Sequence, residues 1–278
     1  MQMSEQKSKT TLQEYYDNFT EGERLFTGLG QLEFERTKLI LNRFLPNQPA
    51  KILDIGGATG VYSSWLARKG YQVHLIDQSE KLVQQARHAS QNQPDAPISS
   101  FTIGDARSLD YPTKSIDVVL LFGPLYHLTE QEERYQALNE AFRVLKRGGI
   151  LFAAAISRFA SAIDGFLSGF INDPVFTEIV KRDLIDGHHR NPTDNLIYFT
   201  DAYFHRPADL KKEVESVGFK DVKVFPVEGI GALVTKFEEV WKNEELKDYL
   251  LCVIHLTEKE EDIIGISPHL LSVGLKTN

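Results

Sequence analysis

The chain has 278 residues, 42% hydrophobic and 25% charged, ordinary for a soluble globular protein with one large core and an appendage. Its 39 acidic against 31 basic residues leave a net charge of −8, which repels phosphate-rich polymers on average and argues against a nucleic-acid partner. Cys252 is the only cysteine, which excludes intramolecular disulfides and multi-thiolate metal sites; within LLCVIHL it reads as a small core residue.

No apolar run is long enough to cross a bilayer, and the opening MQMSEQKSKT is polar, so the expectation is a cytoplasmic protein without a membrane partner. Residues 11–45 precede the first predicted strand. Leu32, Leu39, Ile40 and Phe44 fall near helical spacing on a segment that stops at Pro46. Ahead of them Tyr15, Tyr16 and Phe19 form an aromatic cluster suited to packing against a sheet.

The stretch KILDIGGATG at 51–60 reads as a short buried strand breaking into a glycine-rich turn, with a helix predicted from Val61. A dinucleotide loop needs G-x-G-x-x-G. Counting from Gly56 puts Ala58 and Val61 at the later glycine positions, and counting from Gly57 puts Thr59 and Tyr62 there. The Gly-Lys-Ser/Thr ending of a phosphate loop is also missing. YQVHLID at 71–77 is a second strand whose terminal Asp77 can accept hydrogen bonds from ribose hydroxyls in a doubly wound sheet, and Ser79 suits the cap of the next helix.

A third strand is predicted over 98–103, ending at Gly104-Asp105-Ala106, which taken alone is a simple turn. SIDVVLLF at 115–122 is the fourth, opening into GPLYHL at 123–128. Open α/β sheets bind ligands at the carboxyl ends of their strands, so this turn should face both cofactor and substrate. Thr129 and Glu132 suit a capping box for a helix burying Ala137, Leu138, Ala141, Phe142 and Leu145 and ending at Gly148-Gly149.

Asp54, Gly56, Ala58 and Gly60 resemble the D-x-G-x-G-x-G loop of class I S-adenosylmethionine-dependent methyltransferases, with Ala58 replacing the middle glycine. The acidic end of the second strand, Gly104-Asp105-Ala106 and AFRVLKRGGILFAAAI resemble the elements that follow in that family, over about a hundred residues, in a small-molecule, UbiE-like form. The resemblance implies a Rossmann-like, doubly wound α/β sheet of seven strands, the last antiparallel, with S-adenosyl-L-methionine as cofactor and S-adenosyl-L-homocysteine as product. It implies cofactor contacts from Asp54, Gly56, Gly57, Ala58, Gly60, Asp77, Gln78, Phe122 and Gly123. Asp105 would bond the adenine amino group and the Ala106 amide a ring nitrogen, while Tyr16 belongs to a helix that either packs on the sheet or closes over the cofactor. The Asp/Asn-Pro-Pro-aromatic turn of methyltransferases acting on amino groups of nucleic-acid bases is replaced here by Phe122, Gly123 and Pro124.

Pro207 opens the next predicted helix, PADLKKEVESV, followed by strands at 219–227 and 269–276. Residues 158–206 are therefore an insertion, and a loop of that length in a compact domain is usually a lid or binding element. His188, His189, Arg190, Tyr198, Tyr203 and His205 could line a substrate pocket, or the aromatics could pack the lid down; metal binding by the two adjacent histidines has no ligand spacing behind it. Residues 230–256 read as a helix beside the lid, with Trp241 in the core or a pocket wall. The expected organisation is one domain: a helical cap at 11–45, a cofactor-binding core at 50–157, the lid at 158–206, and the remaining core with an extra helical segment at 207–278.

Methyl transfer from a sulfonium needs alignment, exclusion of water and, where required, removal of a proton. His127 is the best-placed base candidate, or else caps the loop or the adjoining helix, and Tyr126 either orients the acceptor or supports the cofactor. The reading is a methyltransferase acting on O, N or C of a small, partly apolar acceptor, as monomer or homodimer; tRNA or rRNA methylation and a non-catalytic cofactor-binding module are the alternatives.

Overall fold

A computed structural model describes residues 21–193 and 195–278; Tyr15, Tyr16 and Phe19 lie outside the described residues. The chain runs α1 (Glu21–Arg24), α2 (Gly30–Asn42), β1 (Lys51–Ile55), α3 (Val61–Arg68), β2 (Gln72–Asp77), α4 (Glu80–Gln91), β3 (Ser100–Ile103) and β4 (Ile116–Leu121). It continues through α5 (Pro124–His127), α6 (Gln131–Val144), β5 (Leu145–Ser157), α7 (Ala160–Ser168), α8 (Pro174–Asp186), β6 (His188–His189), β7 (Ala202–His205) and α9 (Pro207–Ser216). It closes with β8 (Lys220–Pro226), α10 (Phe237–Lys242), α11 (Glu244–Thr257) and β9 (His269–Leu275).

The main sheet has the order β3-β2-β1-β4-β5-β9-β8, and β9 runs antiparallel to both its neighbours. Its middle is apolar on both faces because helices cover both. Ile52, Leu53 and Ile55 of β1 and Val118 to Leu121 of β4 are buried, as continuous branched runs in parallel strands require. Ser79 caps α4 by accepting the Leu82 amide at 3.3 Å, as its position predicts.

The insertion contributes a pairing that periodicity did not show. Ile156 near the end of β5 pairs with His269 of β9 and also with Phe204 of β7. A strand has two edges, so β7 must occupy the β4 edge of β5, beyond Ala153 where β4 stops pairing. The insertion thus sits over the turn that follows β4, and Ile156, Ala202 and Phe204 form a small apolar cluster there with Tyr126 and Phe199.

Three sequence expectations are corrected. Residue 129 is not the helix cap: α6 starts at Gln131 after Glu130 without a side-chain cap, and the Thr129 carbonyl is instead held by Arg134 at 2.8 Å. The segment 230–256 is two helices broken at Asn243, which caps α11, and their apolar faces pack on Leu32 of α2 rather than on the lid. Trp241 stacks on Phe237 in that cluster at 5.1 Å. Cys252 is exposed, because the apolar stripe of α11 runs through Leu250 and Ile254 and leaves position 252 on the outer face.

Candidate active site

The glycine loop after β1 is shaped by its backbone. Gly56 has φ +78°, and a Cβ there would meet the Phe122 carbonyl oxygen at 2.1 Å, so the loop can pass the end of β4 only with glycine. Ala58 adopts φ +46°, a left-handed conformation costing an alanine roughly 1–2 kcal/mol. Its amide donates to Asp77 Oδ2 at 2.9 Å, which offsets part of that cost, and Asp77 Oδ1 accepts the Ser79 amide at 2.9 Å. Burial raises the Asp77 pKa against those amides.

Beside the loop Asp54 is buried. Burial raises its pKa to about 6, the Ser63 hydroxyl at 2.6 Å works the other way, and the charge of Asp77 adds to the rise. Its Oδ1 has no hydrogen-bond partner. A buried, half-satisfied carboxylate facing a cavity is suited to a cation.

These groups open into a cavity of about 800 Å³, towards the upper end of the ~300–1,000 Å³ common for ligand sites. Asp54, Gly56, Gly57, Ala58, Asp77, Gln78, Ala106, Phe122 and Gly123 line it, together with Tyr126, His127, His188, His189 and Arg190. Gly60 lies behind the loop as the residue before α3, with φ +78°. Asp105 is not among the lining residues: its carboxylate takes three hydrogen bonds from the Arg107 side chain at 2.6 to 3.1 Å, and Arg107 also pairs with Glu133. Position 105 matches the motif, but its charge is already engaged.

The six lid residues divide. His188, His189 and Arg190 reach the cavity. Tyr198 instead bonds Asp173 at 2.5 Å, Tyr203 lies against the Arg134 guanidinium at 3.7 Å, and His205 is buried on Glu213 at 3.2 Å. Tyr203 and His205 hold the lid to the core, while Tyr198 ties two parts of the lid to each other. His189 is itself pinned, with Nδ1 2.9 Å from Asp183 and Nε2 2.7 Å from the Tyr198 carbonyl.

His127 lies between Tyr126 and Phe199, 4.6 and 6.1 Å from their ring centroids. Burial lowers its pKa to about 3, so the ring is neutral and weakly basic at physiological pH. That suits orientation of a ligand better than removal of its proton.

Across the cavity stands a cluster that sequence reading missed. Arg24 clamps Glu33 with contacts of 2.5 and 2.9 Å, and His269 Nδ1 lies 2.6 Å from Glu228 and 3.7 Å from Glu33. Burial works to lower the His269 pKa, but Glu33 and Glu228 outweigh it and lift it to about 9. Burial would raise Glu33, yet Arg24 and His269 bring it down to about 2. The only local signal was a glutamate inside the apolar PVEGIG before a glycine.

Residues 53–153 match the family model described as a methyltransferase domain. The sheet order and the glycine loop agree with that match, and the chain is similar to class I S-adenosylmethionine-dependent methyltransferases. The ubiquinone/menaquinone biosynthesis C-methyltransferase UbiE of Cereibacter sphaeroides is 28% identical over 145 residues, covering 50% of this chain and 56% of the relative. The chain spans about half the length of the curated relatives it matches. A methyltransferase structure from Methanosarcina mazei has the same fold at TM-score 0.56 and 19% identity, covering 85% of this chain and 96% of that one. Phosphoethanolamine N-methyltransferase 2 of Haemonchus contortus, solved with S-adenosyl-L-methionine, aligns at TM-score 0.55 and 18% identity over 88% of this chain and 53% of that one. Among the described residues no helix is long and apolar enough to cross a membrane.

Proposed function

We propose that the chain transfers a methyl group from S-adenosyl-L-methionine to O, N or C of a small, partly apolar acceptor, releasing S-adenosyl-L-homocysteine. The observation that carries this reading is Asp77. Its carboxylate is fixed by the Ala58 and Ser79 amides at the cavity edge, where it can accept from ribose hydroxyls. The orphaned oxygen of Asp54 suits the cofactor's ammonium group, and the Ala106 amide suits the adenine edge. The cofactor brings the reactive methyl on a sulfonium; the chain binds, orients and excludes water. Gly123, Tyr126 and His127 on one side, with His188 and Arg190 of the insertion above, enclose the acceptor, and residues 158–206 act as its lid.

In calorimetry Asp77→Ala should weaken S-adenosylmethionine binding by roughly 10- to 100-fold, the worth of about 1.5–3 kcal/mol in charged hydrogen bonds, while the folded far-UV spectrum is kept. Unchanged affinity would take Asp77 out of the site.

A further inference from the structure

Resting on that reading, we propose that His269, backed by Glu228, accepts the proton of the acceptor's O–H or N–H, on the far side of β5 from His127.

The geometry carries the assignment. His269 opens β9 at the cavity wall, paired with Ile156 of β5. Its Nδ1 is held by Glu228 Oε1 at 2.6 Å, while Glu228 Oε2 accepts the Ser267 hydroxyl at 2.8 Å and the His269 amide at 3.0 Å. The carboxylate is therefore anchored and cannot follow the ring. Nε2 makes no hydrogen bond among the described residues, which leaves it for a ligand. A base held by an oriented carboxylate, with its second nitrogen directed to substrate, is the arrangement proton abstraction needs.

The spacing fits as well. β9 and β4 lie on opposite edges of β5, so His269 and the Phe122–Gly123 turn are about 10 Å apart at two strand spacings. One aromatic ring can bridge that gap, with its reacting oxygen towards β9.

Three ligand-type atoms of Glu33, Glu228 and His269 lie within 4.8 Å of one another. Arg24 already claims both oxygens of Glu33, and a 2.6 Å contact between Nδ1 and Oε1 is a hydrogen bond sharing a proton. The cluster handles protons.

The step balances. The acceptor oxygen bonds the methyl carbon, the carbon–sulfur bond breaks with its electron pair passing to sulfur, and the O–H proton passes to Nε2 and then to water. For this the ring must be neutral. Glu33 from α2, Glu228 after β8 and Tyr62 from α3 face the pair on the acidic side, and Arg24 from α1 and Arg36 from α2 on the basic side. Together they leave His269 protonated below about pH 9. A sulfonium in the same cavity opposes the imidazolium and brings that value down.

The test is an NMR titration of the histidine ring protons in the intact protein, using phenol as probe acceptor. The resonance absent from His269→Gln should titrate near pH 9, fall by about one unit or more in Glu228→Gln, and move when phenol is added to the S-adenosylhomocysteine complex. A resonance that titrates like a solvated histidine, or ignores phenol while the nucleoside product is bound, overturns the assignment and leaves the methyltransferase reading standing. Failure to bind S-adenosylhomocysteine at all removes that reading and this assignment with it.

Discussion

Each of the two walls that flank the end of β5 presents a cavity histidine with a shifted pKa, and the two rings are driven in opposite directions. On the β4 side His127 has aromatic neighbours and its pKa falls to about 3; on the β9 side His269 has two carboxylates and rises to about 9. Burial lowers both. Counter-charge alone separates them, and on the proposed reading it separates their roles: the first ring orients, while the second holds a proton and serves as base only once the sulfonium has driven that proton off.

The walls also differ in what supports them. Behind the β4 turn Arg134, fully enclosed, donates to the Leu128 and Thr129 carbonyls at 3.1 and 2.8 Å and to Glu213 at 2.9 Å, with Tyr203 on its face and His205 on the far side of Glu213. One guanidinium thus fixes the end of the 123–128 turn, strand β7 and α9 together. Arg134→Met should therefore have the largest effect, removing one partner of a buried pair at about 3–5 kcal/mol and lowering Tm by roughly 10 °C. Adding Glu213→Leu should return part of the loss, because the stranded carboxylate goes with it. A single variant within about 1 kcal/mol of wild type in denaturant unfolding would show that the turn stands without its rear support.

On the β9 side the support is ionic and pH-dependent. The folded pKa of His269 lies above its unfolded value near 6.5, so the stability it contributes is complete below that value and is lost as pH rises through about 9. The span corresponds to about 3 kcal/mol at most. Thermal unfolding from pH 6.5 to 9.5 should slope more steeply in wild type than in His269→Gln. Parallel slopes would mean that the Glu33 and Glu228 charges do not reach the ring.

The same contrast explains what was legible beforehand. The β4 wall and the glycine loop are built from neighbours in sequence, and local spacing put Asp54, Asp77 and the 123–128 turn on or just after the strands that carry them to the cavity. The β9 wall joins residues from α2, the segment after β8 and the start of β9; Glu228 and His269 are 41 positions apart and Glu33 is farther still. No periodicity connects such positions. Likewise the lid's aromatics were visible as a group, but whether Tyr203 faces the cavity or the Arg134 guanidinium depends on β7 joining the β4 edge of β5, a pairing with no local signature. Asp105 is off the cavity lining for a shorter-range reason: Arg107, two residues on, binds the carboxylate that the motif offers to a ligand.

The smallest effect belongs to His127. Its folded pKa lies below the unfolded value, so between pH 6.5 and about 3 the unfolded chain binds a proton that the folded ring refuses. Stability from this position is therefore complete above pH 6.5 and declines as pH falls, the reverse of His269. The residue keeps partial exposure although its Nδ1 is buried, so the loss is on the order of 1–2 kcal/mol, below what the full shift would give. His127→Gln should unfold with a shallower acid limb than wild type between pH 6.5 and 4 while matching it at pH 8 and above. An acid limb unchanged by the substitution would mean that water reaches the ring in the folded protein. His127 could then protonate at mild acidity, and the opposition between the two walls would reduce to His269 alone.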